Sequence, residues 1–186
     1  MINQKFYILL KLLDKSFEVF ISRDKIQDKV LNLADKINSD FFGKDVLFIS
    51  VLNGSFMFTA DLMKNISIDS EITFVKMSSY VGTSSLGNVN QLIGLNHKLK
   101  DKSIIIIEDI IDTGITIDKI MNLLSIEGAK EIKVCSLLFK PNSFKGKYKP
   151  DYIGFSIPNA FVVGYGLDYN QKGRNLDSIY KINELC

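Results

Sequence analysis

An α/β fold is predicted, with a mostly parallel sheet and helices on both faces, and three observations carry that expectation. Apolar runs of strand length, at residues 45–51 (DVLFISV), 103–108 (SIIIIE) and 131–139 (EIKVCSLLF), suit strands buried on both faces. Between them lie amphipathic helical patterns at 56–64 and 115–126, the second with Ile117, Ile120, Met121 and Leu124 at helical spacing. Each run also ends in polar or glycine-containing residues, and after those at 45–51 and 103–108 a right-handed crossover to the next helix begins. The chain has 186 residues and is 46% hydrophobic, which suits one domain spanning residues 1–186 with a substantial core.

In chain order, residues 6–20 are rich in apolar side chains but interrupted by Lys11, Asp14, Lys15 and Glu18. The stretch is too short and too charged for a membrane span, and no A-x-A-like cleavage site follows it. It is expected to be an N-terminal helix or arm packing on the domain or on a neighbouring subunit. Ser22 is a candidate N-cap for a helix running to about residue 38, whose stripe is Ile26, Val30, Leu33 and Ile37. Strand 45–51 and helix 56–64 follow. Strand 71–77 then leads into a polar loop, 78–90, containing Gly82, Gly87 and several serines. A loop of that length inside a compact domain commonly acts as a lid or binding loop. A short strand at 92–95 rejoins the sheet.

The central strand, 103–108, contains four consecutive isoleucines. Its helix, 115–126, has Gly128 as a candidate C-cap. After strand 131–139 comes a loop with Lys145, Lys147 and Lys149, then strands at 152–157 (YIGFSI) and 161–167 (FVVGYGL). The tail at 176–182 is short enough to be helix or strand.

Ligands of open α/β sheets sit at the carboxyl ends of the strands. Here those ends hold Asn53 and Gly54, Glu108 and Asp109, Asp112 to Thr116, Lys140 and Asp168. The stretch IIIIEDIIDTGIT is the most informative. A turn at 112–116 opening a helix offers backbone N–H groups, Thr113 and Thr116 add hydroxyls, and Gly114 permits close approach, so a phosphate monoester is the natural guest. No GxxxxGK[ST] pattern is present, which argues against ATP hydrolysis of the P-loop kind. Glu108 and Asp109 would repel phosphate unless something intervenes. A ribose fits, its hydroxyls donating to the carboxylates while its 5′-phosphate reaches the turn; a hydrated Mg²⁺ also suits them. The plainer alternative is a βα turn with an acidic N-cap and a solvated acidic edge.

Composition narrows the partners. A formal net charge of +2 argues against a general nucleic-acid scaffold. Cys135 and Cys186 form no CxxC or Cys/His spacing, so neither a zinc site nor a disulfide framework is expected, and a reduced, cytoplasmic setting is the default. No internal repeat or low-complexity tract is evident.

EDIIDTGIT resembles the phosphoribosyl pyrophosphate (PRPP) binding motif of type I phosphoribosyltransferases, and the likeness extends to the hypoxanthine-guanine phosphoribosyltransferase family. LNGSFMFTADL resembles that family's pyrophosphate loop, and SSYVGTSSLGNV its flexible catalytic loop. SLLFKPNS, YKPDYIGFSIP and FVVGYGLDYNQKGRNL resemble its purine-binding region, and the blocks run from about Phe17 to the C-terminus in the family's order. The resemblance implies the type I phosphoribosyltransferase fold, with a small hood formed by the N- and C-terminal segments. It implies Mg²⁺-dependent transfer of the 5-phosphoribosyl group from PRPP to a 6-oxopurine, hypoxanthine or guanine, in a homodimer or homotetramer.

Residue roles follow from the same resemblance. Thr113, Gly114, Ile115 and Thr116 would bind the 5′-phosphate, and Glu108 and Asp109 the ribose hydroxyls, partly through Mg²⁺. Asp112 would be the general acid/base near N7 of the base. Asn53 and Gly54 would hold pyrophosphate through backbone N–H groups, Asp168 a second Mg²⁺, and Arg174 would add a cation. Ser79 and Tyr80 would contact pyrophosphate when the loop closes and excludes water. Lys140 would donate to the exocyclic oxygen, which rejects adenine because lysine has no acceptor. Phe161 would stack on the purine, and the Val162 backbone would read its far edge. Two positions depart from the family pattern, which often has a basic residue where Asn53 stands and Lys where Ile115 stands; weaker PRPP binding is the consequence. His97 receives no role. An RNA-binding regulator on the same fold, supported only by the three loop lysines, and a transferase for xanthine or another base are the alternatives.

Overall fold

The computed structural model describes residues 9–78, 91–93 and 97–183. In chain order it holds β1 (Leu10–Leu12), β2 (Lys15–Ile21), α1 (Arg23–Asp40), β3 (Val46–Val51), α2 (Phe56–Met63), β4 (Ser70–Ser78) and β5 (Gln91–Ile93). There follow β6 (Ser103–Ile111), α3 (Ile115–Ile126), β7 (Glu131–Phe139), β8 (Tyr152–Ser156), β9 (Val162–Val163) and β10 (Ile179–Ile182).

The main sheet has the order β5-β4-β3-β6-β7-β8, with every neighbour pair parallel except the short edge strand β5. Its centre follows from the isoleucine run. Ile105 and Ile107 join α1 and α2 in one core through Ile26, Val30, Ile37, Phe58 and Leu62. Ile104 and Ile106 join α3 on the opposite face through Ile117, Ile120 and Leu124. All four isoleucines are fully buried. Strand periodicity thus splits one apolar run between two cores, as a doubly covered sheet requires.

Several boundaries differ from expectation for tertiary reasons. β6 does not stop at Glu108; it continues to Ile111 because β7 keeps pairing with it, Ile110 opposite Leu138 and Ile111 opposite Phe139. Glu108 and Asp109 therefore lie within the strand. Ser22 occupies the N-cap position of α1 but makes no side-chain cap; the first N–H of the helix, that of Arg23, instead donates to Ser178 Oγ at 3.1 Å. Gly128 takes the left-handed conformation, φ +80°, just past the end of α3. The expected strand at 161–167 shrinks to Val162–Val163, because Gly164, Tyr165 and Gly166 all have positive φ and turn the chain.

The described part of the N-terminal segment is a hairpin, not a helix. β1 and β2 pair with Leu12 opposite Lys15, and β2 then pairs with β10 from the other end of the chain. A helix reading of Phe17, Val19, Phe20 and Ile21 fails because these β-prone residues have a strand partner 160 or so positions away. The resulting antiparallel sheet, β1-β2-β10-β9, is the hood formed by N- and C-terminal segments. The tail at 176–182 resolves as strand β10. The expected catalytic loop at 78–90 lies, beyond Ser78, outside the described residues.

Candidate active site

The carboxyl ends of β3, β6 and β7 stand side by side, and the turn after β9 reaches the first of them, where Gly166 lies against Gly54 O. The end of β3 is fixed by a buried hydroxyl network. Ser50 Oγ is 2.8 Å from Ser55 Oγ and 2.7 Å from Thr59 Oγ1, tying the strand to the first turns of α2. The connection between them contains a cis peptide at Leu52–Asn53, followed by Gly54. Gly54 has no room for a side chain, since a Cβ there would overlap the Asp109 carboxylate. Gly54→Ala is therefore expected to displace Asp109 and lower turnover about 100-fold, the cost of roughly 1 Å of misplacement at a reacting centre. Steady-state kinetics on the variant, with circular dichroism to confirm folding, checks this.

At the end of β6, Gly114 adopts φ +86° and caps α3. Asp112, Thr113, Gly114 and Thr116 line a pocket of about 100 Å³ together with Glu108, Ile110, Ile111 and Ile117. That is room for one tetrahedral anion at a helix N-terminus. Ile115 is the first residue of α3 and is 56% exposed, so its contribution to such a site is its backbone N–H. The lysine-bearing loop after β7 is drawn back onto this turn. Lys145 N–H donates to Thr113 O at 3.0 Å, and Asp118 of α3 accepts from the N–H groups of Lys147 and Tyr148. Phe144 and Gly146 pack directly on Gly114. The loop braces the turn, a use of its residues that the three lysines alone did not suggest.

Glu108 and Asp109 occupy a dry setting. Glu108 is 8% exposed, and its Oε2 has no hydrogen-bond partner among the described residues. Burial, and then the neighbouring Asp109 charge, hold its carboxyl well above the usual carboxylate range. Burial pushes Asp109 up to about 6, against the hydrogen bond from Ile110 N–H at 2.7 Å and the positive charge of Arg174. An unpartnered buried acid beside a second one demands hydroxyl donors or a cation.

The sign of the pH dependence follows. Both acids bind a proton more readily folded than unfolded, so this contribution to stability is full at acid pH and is lost as pH rises through about 6 for Asp109. The thermal midpoint of the ligand-free chain is expected to fall relative to that of Asp109→Asn between roughly pH 4 and pH 6 and to level off above that. Scanning fluorimetry across that range measures it.

Lys140, at the end of β7, meets Asp112 across the sheet: Nζ to Oδ2 is 2.8 Å, with the lysine side chain 12% exposed and the aspartate 47%. Phe161 leaves β9's start with its ring 46% exposed and buttressed by Phe17 and Tyr169, centroids at 6.3 and 5.7 Å. Phe161 O accepts from Ile182 N–H, so strand alternation turns the Val162 backbone groups to the outer edge of β9. In the turn beyond, Arg174 Nη2 lies 2.6 Å from Asp168 Oδ1, and Asp168 Oδ2 accepts from Gln171 N–H at 2.8 Å.

Gly54 meets Asp109, Glu108 shares a pocket with Asp112, Thr113, Gly114 and Thr116, Lys140 pairs with Asp112, and Arg174 and Asp168 lie close enough to Asp109 to act on its charge. Phe161 and Val162, by contrast, are placed by their hood contacts alone. Ser79 and Tyr80 lie outside the described residues. Tyr165 and Gly166 went unassigned in sequence, although a Gly-Tyr-Gly run at a strand end is a signal for a tight, positive-φ turn. Asp61 and Asp118, each inside a helical pattern, carried no such signal.

Comparison with known proteins agrees with this arrangement. Residues 22–170 match the model of the phosphoribosyl transferase domain. The hypoxanthine-guanine phosphoribosyltransferase of Lactococcus lactis is 42% identical over 171 residues, covering 91% of this chain and 93% of the relative. The hypoxanthine phosphoribosyltransferase of Escherichia coli is 38% identical over 168 residues, covering 89% and 94%. Among solved structures, a hypoxanthine-guanine phosphoribosyltransferase from Bacillus anthracis superposes with a TM-score of 0.79 at 37% identity, covering 89% of this chain and 96% of that one. A hypoxanthine phosphoribosyltransferase from Staphylococcus aureus gives 0.81 at 34% identity, covering 89% and 91%.

Proposed function

Because the chain belongs to the phosphoribosyl transferase domain family, we propose that it is a purine-salvage enzyme transferring the 5-phosphoribosyl group of PRPP to hypoxanthine or guanine. The products are the nucleoside monophosphate and pyrophosphate. The observation that carries the reading is the Lys140–Asp112 pair, 2.8 Å apart and beside the phosphate turn. The 6-oxygen and N7 are neighbours on one edge of a 6-oxopurine. A base entering this site exchanges the lysine–aspartate contact for two of its own: Lys140 donates to the oxygen and Asp112 accepts from N7–H.

The reaction then proceeds with few moving parts. The 5′-phosphate sits on the N–H groups and hydroxyls of residues 113–116, and the ribose hydroxyls donate to Glu108 and Asp109. Phe161 stacks on the base, and the Val162 edge reads its far side. N9 forms its bond to C1′ as the bond from C1′ to pyrophosphate breaks, and the N7 proton passes to Asp112. Asn53, Gly54 and Arg174 hold the departing pyrophosphate.

Glu108 and Asp109 would hold one hard divalent cation and Asp168 a second, since Glu108 Oε2 is buried without a partner among the described residues and all the donors are carboxylate oxygens. Among the described residues no three such side chains converge to hold a metal, and Mg²⁺ is commonly bound through one or two carboxylates. Bound Mg²⁺ supplies neutralisation of charge on the leaving group.

Residues 1–186 act on this reading as one catalytic domain in a reduced cytoplasmic setting, and no helix among the described residues is long and apolar enough to cross a membrane. Assembly as a homodimer or homotetramer belongs to the same reading; exposed Phe56, Ile72 and Phe74 supply apolar surface for it. Incubation with PRPP, Mg²⁺ and each of hypoxanthine, guanine, xanthine and adenine tests the assignment. Nucleotide is expected from hypoxanthine or guanine and not from adenine; no product from either 6-oxopurine overturns it.

A further inference from the structure

The groups assigned to pyrophosphate come from two segments far apart in sequence. Asn53 and Gly54 precede α2, whereas Asp168 and Arg174 belong to the turn beyond β9. The two segments touch at Gly166, whose φ is +100° and where a Cβ would overlap the carbonyl oxygen of Gly54. Gly166 is in turn locked to Arg174: its N–H donates to Arg174 O at 2.9 Å, and Arg174 Nη1 donates to Gly166 O at 2.9 Å. Any slackness between Gly166 and Gly54 therefore reaches the Arg174 guanidinium.

Beside Gly166 stands Tyr165, 2% exposed and at φ +51°, a left-handed conformation rare for a bulky residue. The ring extends to α2, where its hydroxyl donates to Asp61 Oδ2 at 2.7 Å. Asp61 sits on the helix that begins just after Gly54. Its carboxylate also accepts from Gln27 Nε2 of α1 at 2.8 Å and from Lys64 Nζ at 2.9 Å. Burial acts to raise the Asp61 pKa, but the hydrogen bonds from Gln27, Lys64 and Tyr165 outweigh it, so the acceptor stays ionised.

We propose that Tyr165 is a positioning residue which, through its bond to Asp61, clamps the Asp168–Arg174 turn onto the pyrophosphate loop and so pre-assembles the leaving-group half of the site. The inference rests on the phosphoribosyl-transfer reading. A hydrogen bond from a hydroxyl to a charged, partly buried carboxylate is among the stronger kinds. Its partners lie 104 positions apart, in the two segments that must meet. Packing alone would need the ring and not the hydroxyl.

Tyr165→Phe keeps the ring and removes the bond. In the full chain it is expected to raise the KM for PRPP and the inhibition constant of pyrophosphate about tenfold, with the KM for hypoxanthine changed less than about twofold. Asp61→Leu should reproduce that split. Asp61→Asn, whose amide oxygen still accepts from the hydroxyl, should restore both constants to within about twofold of wild type. The Tyr165→Phe/Asp61→Leu double variant should be no worse than either single one. Unchanged PRPP and pyrophosphate constants in Tyr165→Phe, or equal losses for base and PRPP, overturn the clamp while wild-type turnover upholds the reading beneath it. A wild-type chain that forms no nucleotide from either 6-oxopurine defeats that reading, and the clamp with it.

Discussion

Asp112→Asn is expected to lower kcat for nucleotide formation by about 10²- to 10⁴-fold, the usual contribution of a positioned acid/base group. The KM for PRPP should stay within about threefold of wild type, because the substitution touches chemistry and not ground-state binding. The structure makes this variant unusually clean. Asparagine keeps an oxygen for Lys140, which now sits 2.8 Å away, so the 12%-exposed lysine is not left unpaired. The aspartate is 47% exposed, and its loss costs the fold little. Gly114, Thr113 and the loop that braces them are untouched. Single-turnover kinetics with hypoxanthine isolates the chemical step, and a rate equal to wild type would remove Asp112 from the proton-transfer role.

Lys140→Gln tests the choice of base. Lysine carries donors only, so the 6-amino group of adenine meets donor with donor at a lysine that is itself only 12% exposed. A site that hydrogen-bonds one group in this way rejects its mismatch by about 10⁴- to 10⁵-fold. Glutamine presents both a donor and an acceptor, so the preference for hypoxanthine over adenine in kcat/KM is expected to collapse to about 10²-fold or less. Part of the change is a loss with hypoxanthine, whose oxygen no longer meets a full positive charge. Asp112 also loses its ion pair, but its exposure lets water take over. Adenine rejection as strong as in the wild-type chain would place specificity elsewhere, with the Val162 edge the next residue to probe.

Much of the scaffold is legible in the sequence. The isoleucine run, the stripe of α3 and the turn Asp112 to Thr116 each have a period or a dihedral demand that a short window of sequence expresses, and all three appear where expected. Other elements depended on a distant partner. β2 is a strand because β10 lies beside it, and β6 runs past its acids because β7 does. Residues 161–167 looked like a strand by composition, yet three consecutive positive φ angles turn them into the bend that brings Asp168 back to the site.

The sequence by itself determined the framework of the site: a doubly covered parallel sheet, a Gly/Thr turn at the head of a helix, and acids and a lysine on neighbouring strands near their carboxyl ends. Only the tertiary structure decided how those groups act on one another. It paired Lys140 with Asp112 across 28 positions, left Glu108 dry and unpartnered, pressed Gly166 against Gly54, and joined Tyr165 to Asp61 across 104 positions. The reason is physical. Strand and helix periodicity are local properties of the backbone, whereas burial, charge pairing and close backbone contact depend on strand order and on loops closing over long separations.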